Sequence, residues 1–315
     1  MRLFLGVDGG QSTTKALIGD DAGRVLGAGT GGPCNHAGAA EGREKLARAV
    51  RESVAAACAQ AQLDPHVRFD AACFGMSGGP EDKQTILAEI LPAAKLVVTH
   101  DALIALSGAT AGEPGVVTIS GTGSIAFGRN AAGEIARAGG WGFLFGDEGG
   151  GFDIVRQAVR AAVRLEEGWG PETALHRALV SEAGARDAND LMHRLYTEEW
   201  SRPRASLLAK TVDRVALDGD PVARDILLNA AQQLATLAVS VRRRLFQPGA
   251  AAPVCYIGGV FGSRILLERF RQLVELEEGS TAVPPHYEPA AGALIEAYRA
   301  AGLHPSLSNM RELKS

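Results

Sequence analysis

One short pattern, used twice at a fixed spacing, constrains this chain more than any other feature. Asp21-Ala22-Gly23-Arg24-Val25-Leu26-Gly27-Ala28-Gly29 is matched by Ala131-Ala132-Gly133-Glu134-Ile135-Ala136-Arg137-Ala138-Gly139, with Gly23 against Gly133 and Gly29 against Gly139, an offset of 110. Carried back without a gap, that offset sets Ser12 against Thr122 and Val7 against Val117. Each copy opens on an apolar run and a glycine turn. The first is Leu3-Phe4-Leu5-Gly6-Val7 before Asp8-Gly9-Gly10-Gln11-Ser12-Thr13-Thr14-Lys15. The second is Val116-Val117-Thr118-Ile119 before Ser120-Gly121-Thr122-Gly123-Ser124. Apolar runs on both sides of such a turn predict a β-hairpin. Each copy then reads strand, hydroxyl-bearing glycine turn, strand, Ala-Gly turn, strand.

The turns suit phosphate. Paired glycines let another molecule approach the backbone, and exposed amides beside Ser and Thr hydroxyls make an anion cradle. Asp8 closes the first strand next to its turn, where a carboxylate is placed to hold magnesium directly or through water. Gly and Asp are also default residues of an ordinary tight hairpin. Two such turns, one per half, suggest a nucleotide held in a cleft between two domains.

A chain of 315 residues suits two domains. Gly112-Glu113-Pro114-Gly115 is the expected boundary, giving 1–113 and 114–315, with a final helix at about 289–301 free to pack back on the first domain. Helical patterns follow strands in both halves: 39–61, 81–90 and 102–109, then mostly helix from 152 to 247. This predicts an α/β fold with mainly parallel sheets, each led by an antiparallel hairpin. The tail to Ser315 is expected to be loose. A formal net charge of -4 gives no footprint for nucleic acid or an anionic membrane. The four cysteines, Cys34, Cys58, Cys73 and Cys255, are scattered, which suits a reducing compartment. The first apolar run is too short for a signal peptide, and no stretch approaches the roughly 20 residues of a membrane span. The expected location is cytoplasmic.

Several residues have two readings. Asp101 falls where a strand, 95–99, gives way to a helix. It can cap that helix or, at the carboxyl end of a strand where ligands gather, take a proton from a hydroxyl. Asp147-Glu148 precedes a helix, where the dipole favours acids. Trp141 sits between Gly140 and Gly142, placed either to pack in the core or to lie on a sugar ring. Gly258-Gly259 makes a tight strand-to-helix turn or admits a nucleoside to the backbone. Gly121-Thr122-Gly123-Ser124-Ile125-Ala126 fits the dinucleotide fingerprint, but that needs a helix next, and Gly128 and Gly133 break one at once.

In combination, Val7-Asp8-Gly9-Gly10, Asn35-His36, Thr99-His100-Asp101-Ala102, Ile119-Ser120-Gly121-Thr122-Gly123-Ser124, Gly139-Gly140-Trp141-Gly142 and Gly146-Asp147-Glu148-Gly149 resemble the N-acetylglucosamine kinases. These lie within the BadF/BadG/BcrA/BcrD-type ATPases of the sugar kinase and actin superfamily. The resemblance covers nearly the whole chain. It implies a duplicated actin-like ATPase (ribonuclease H-like) fold with ATP and Mg2+ between the halves, and a homodimer. It implies phosphoryl transfer to the 6-hydroxyl of an amino sugar, with Asp101 as base and Asp8 at the metal. Gly9, Gly10, Ser12, Thr13, Gly121, Thr122 and Gly123 would hold the phosphates, and Gly258 and Gly259 the adenosine. Asn35, Ser124, Gly140, Trp141, Gly142 and Asp147 would contact the sugar. N-acetylglucosamine is the expected acceptor, with glucosamine and N-acetylmuramic acid as alternatives. An ATPase activating a partner redox enzyme is a further alternative, which the scattered cysteines disfavour. Gln11-Ser12 replaces the Gly-Thr of many relatives and keeps the hydroxyl.

Overall fold

The first strand, β1 (Leu3–Gly9), is apolar because both of its faces are covered. Leu3, Leu5 and Val7 enter one core with Leu46, Val50, Val54 and Leu87, while Phe4 enters another with Ile104, Leu294 and Tyr298. The structure, a computed structural model, describes residues 1–10, 12–34, 40–76 and 83–310.

The chain divides into two units, Met1–Glu113 with Pro285–Ser315, and Pro114–Pro284. In the first, β1, β2 (Thr14–Asp20) and β3 (Val25–Gly31) form an antiparallel meander. Helix α1 (Ala40–Gln60), β4 (Ala71–Met76), α2 (Gln84–Ile90), β5 (Leu96–His100) and α3 (Asp101–Ala109) follow, and β4 and β5 run parallel to β1. In the second, β6 (Gly115–Ser120), β7 (Ser124–Arg129) and β8 (Ile135–Gly139) repeat the meander. Then come α4 (Gly151–Glu166), α5 (Leu175–Glu182), α6 (Ala188–Arg194), α7 (Arg202–Ser206), α8 (Ala209–Leu217) and α9 (Pro221–Leu245). Strand β9 (Ala252–Ile257), α10 (Arg264–Glu275) and β10 (Ser280–Val283) complete that unit, and α11 (Pro289–Ala300) belongs to the first.

The two sheets have one topology. Their orders are β3-β2-β1-β4-β5 and, from the matching edge, β8-β7-β6-β9-β10. Strands β2 and β7 start at Thr14 and Ser124, and β3 and β8 at Val25 and Ile135, so the offset of 110 read from the sequence is the spacing of the folds. The turn at Gly121 joins antiparallel strands with Ser120 paired to Ser124, as the hairpin reading requires and a dinucleotide turn would not.

Helix α11 lies on β1 and α3, against the first sheet. The segment after it is not loose. Ser308 donates its amide to Gly23 and accepts from Val25, and Asn309 donates to the Val25 carbonyl. Leu303, Leu307 and Met310 pack against the core formed by Phe4 and Tyr298. The expectation of a loose tail therefore fails for the stretch up to 310, because apolar residues spaced along it have a sheet face to cover.

Candidate active site

The carboxyl ends of β1, β4 and β5 finish level, with Gly9 paired to Met76 and Met76 to His100. This is the edge at which parallel sheets collect ligands. Asp8 lies there on β1, and Asp101 lies there as the first residue of α3. His100, not Asp101, occupies the cap position, and its side chain makes no capping bond. Asp101 Oδ1 accepts the neighbouring Ala102 amide at 2.8 Å. The side chain is open to solvent on one side. Surrounding protein still raises its pKa by burial, opposed by the Ala102 amide, His100 and the buried Lys83. A carboxyl shifted upward is a stronger base once ionised.

Asp8 is shifted further. Burial first, then the charge of Asp101, push its carboxyl from an ordinary 3.8 up to about 6; Lys15 opposes and Glu288 adds to the rise. Two crowded carboxylates without a full counter-charge suit a cation. Ligand-free Asp8 costs stability when ionised. A raised folded pKa contributes stability below 3.8 that is lost as pH rises through about 6. Asp8→Asn is therefore expected to melt above the wild type at pH 7.5, by at most about 3 kcal/mol, and to match it near pH 3.5. Parallel melting curves across that range would remove the shift.

In the turn beside Asp8, the Gly10 amide donates to Thr13 O at 3.0 Å, and Ser12 and Thr13 point to solvent. Gly9 is packed tightly, and a β-carbon there would meet Met76 Sδ at 2.6 Å. Asn35 lies outside the described residues.

In the second unit the matching turn is docked on a helix start. The Gly151 and Phe152 amides of α4 donate to the carbonyls of Gly121 and Thr122 at 2.8 and 3.0 Å. This satisfies helix donors that would otherwise be orphaned. Among the described residues the amides of Thr122 and Gly123 meet no protein acceptor. Gly123 leaves room for Asp147, since a β-carbon there would fall 2.5 Å from its carboxyl group. Asp147 has φ 63, a left-handed conformation that costs energy for any residue but Gly. Its Oδ1 accepts the Ser124 amide at 3.4 Å. The buried Ser124 hydroxyl is already committed, donating to Glu148 O at 2.7 Å, so it holds the loop.

Trp141 is 65% exposed, which rules out core packing. Arg137 lies 4.5 Å over its ring, and Gly140 and Gly142 flank it with φ 73 and 79. Gly258 has φ 114 and abuts the Ser120 backbone, so only glycine fits there.

Gly259 instead faces a cavity of about 560 Å³, within the usual range for a small-molecule site. Ile154, Leu207, Leu227 and Val260 give it apolar walls; Thr122, Ser206, Lys210 and Asp213 give it polar ones. β-Carbons at Gly121, Gly259 and Gly262 would point into open space. An apolar chamber ending at unpaired amides fits a nucleoside with its phosphates. Sequence reasoning missed its wall from Pro203 to Asp213, which reads as ordinary helix apart from the break at Arg202-Pro203.

The BadF/BadG/BcrA/BcrD ATPase family matches residues 5–297. The chain belongs to this family. An N-acetylmuramic acid/N-acetylglucosamine kinase of Clostridium acetobutylicum is 30% identical over 282 residues, 88% of this chain and 91% of the relative. An N-acetyl-D-glucosamine kinase of Dictyostelium discoideum is 29% identical, covering 93% and 97%. A provisionally named N-acetylglucosamine kinase of Chromobacterium violaceum, a solved structure, superimposes with a TM-score of 0.74 at 27% identity, covering 93% and 98%. This BadF/BadG/BcrA/BcrD ATPase thus has the two-domain α/β fold of the actin-like sugar kinases.

Proposed function

We propose that the protein transfers the γ-phosphoryl group of ATP to the 6-hydroxyl of an amino sugar, N-acetylglucosamine. The observation that carries the reading is Asp101. It is a carboxylate at the ligand edge of the first sheet, outside the cap position and raised in pKa by burial. As the sugar oxygen attacks the γ-phosphorus, Asp101 takes its proton, and the bond to the bridging oxygen breaks to release ADP. The residues proposed for the acceptor are Gly140, Trp141, Gly142 and Asp147, with Ser124 fixing their loop, together with Asn35. The phosphates would lie on the Thr122-Gly123 amides and at the Gly9-Gly10 turn, near the Ser12 and Thr13 hydroxyls. Adenosine would occupy the chamber beside Gly259, with Gly258 setting its turn. Magnesium would neutralise developing phosphate charge, and Asp8 is the residue that would hold it.

The name of the Clostridium relative favours N-acetylmuramic acid as a second acceptor. An activator of a redox partner is disfavoured, because a cluster shared between subunits needs surface thiols and all four cysteines are buried. The test is an ATP-consumption screen over glucosamine, N-acetylglucosamine, N-acetylmuramic acid and glucose. Turnover of N-acetylglucosamine well above glucose is expected, and consumption indifferent to every sugar would end the reading. In the same assay Asp8→Asn is expected to lose activity at low magnesium and partly recover at high magnesium. Equal activity at every concentration would return Asp8 to a turn residue.

A further inference from the structure

We propose that Asp213 selects the nucleoside of the bound nucleotide by accepting a hydrogen bond from a donor on its ribose or base. The inference rests on the ATP reading above. Asp213 is the only carboxylate among the described residues that line the 560 Å³ cavity. A carboxylate beside phosphate is repelled, and the phosphates already have the Thr122 and Gly123 amides at one end. Asp213 therefore serves the other end, where the ligand brings donors. Those are the 2′- and 3′-hydroxyls and the exocyclic amino group of adenine.

The carboxylate is held ready. Ser263 Oγ donates to its Oδ1, and Ser263 is itself buried and caps α10 by accepting the Leu266 amide at 3.3 Å. Asp213 is thus fixed from α8 and α10 together. Its Oδ2 takes no hydrogen bond or ion pair among the described residues. Lys210, three residues earlier on α8, is exposed and forms no ion pair with it. A carboxylate only accepts, and a site built around one such bond rejects analogues that lack the donor.

The test is equilibrium binding by titration calorimetry, without sugar, of ATP, 2′-deoxy-ATP, 3′-deoxy-ATP and inosine triphosphate. The wild type is expected to bind at least one analogue about tenfold more weakly than ATP, and that analogue names the group read. Asp213→Asn, which still accepts from Ser263, is expected to shrink the difference to within about threefold. Ser263→Ala should blur it in the same direction, and carries the test if Asp213→Asn does not fold. Equal binding of all four nucleotides by the wild type overturns the proposal, as does a preference that survives both substitutions. Because no sugar is present, a chain that binds ATP selectively but phosphorylates no amino sugar fails only the acceptor assignment. A chain that binds no nucleotide fails both.

Discussion

Asp101→Asn is expected to fold, to melt near the wild-type temperature and to lose at least about a hundredfold in turnover. The structure sharpens why the two readings of this residue separate. The cap position belongs to His100, so the only helix-end bond at stake is the one from the Ala102 amide. Asn can still accept the Ala102 amide through its side-chain oxygen, as Asp101 Oδ1 does at 2.8 Å. What it cannot do is take a proton. Sugar affinity should change little, because the lost interaction forms as the hydroxyl ionises. The pH profile gives a second readout. A base works only when deprotonated, and burial raises this carboxyl above its ordinary range. The wild-type rate should therefore climb with pH through that elevated pKa, and the residual rate of the variant should lack that limb. A variant with wild-type turnover, or one whose loss tracks early melting, would leave the proposed transfer without its base.

The sequence exposed the frame of both units because the frame is local. Strand β1 reads as unbroken apolar residues since both of its faces are buried, and the repeat places β7 and β8 where β2 and β3 predict them. Asp8 and Asp101 were legible for the same reason: each sits at the end of a strand. What was hidden depends on distant partners. Tyr298 donates its hydroxyl to the carbonyl of Asp20, 278 residues away, and no periodicity announces that bond. The stretch from Pro203 to Asp213 looks like any amphipathic helix until the glycine turns at Gly121 and Gly259 meet it. The place of the left-handed Asp147 is equally silent, because the space its carboxyl group fills is left by Gly123, distant in sequence. Side-chain exposure decided the Trp141 question, which spacing alone left open.

Gly292→Ala is expected to be among the most destabilising single-carbon changes available to this chain. The added β-carbon would fall on the carbonyl oxygen of Ile104 and close to the amide of Gly108, both backbone atoms of α3. Backbone cannot rotate away as a side chain can, so α11 and α3 must separate. Gly6 and Gly108 make matching contacts, against the Leu294 amide and the Glu288 carbonyl, so α11 is wedged at backbone distance along its length. Overpacking of this kind costs about 1–3 kcal/mol and more when backbone must shift. A melting temperature lower by roughly 5–10 °C follows. Because α3 begins at Asp101, turnover should fall below what the unfolded fraction explains, while the nucleoside chamber, lined only by the second unit, keeps its walls. Gly259→Ala should show the reverse pattern. Its β-carbon meets no atom within 4 Å, so melting stays at the wild-type value. The same methyl group intrudes on the proposed nucleoside chamber, so ATP affinity should drop. If Gly292→Ala melts normally, α11 does not contact α3 as described. If Gly259→Ala binds ATP at full strength, the nucleoside lies elsewhere.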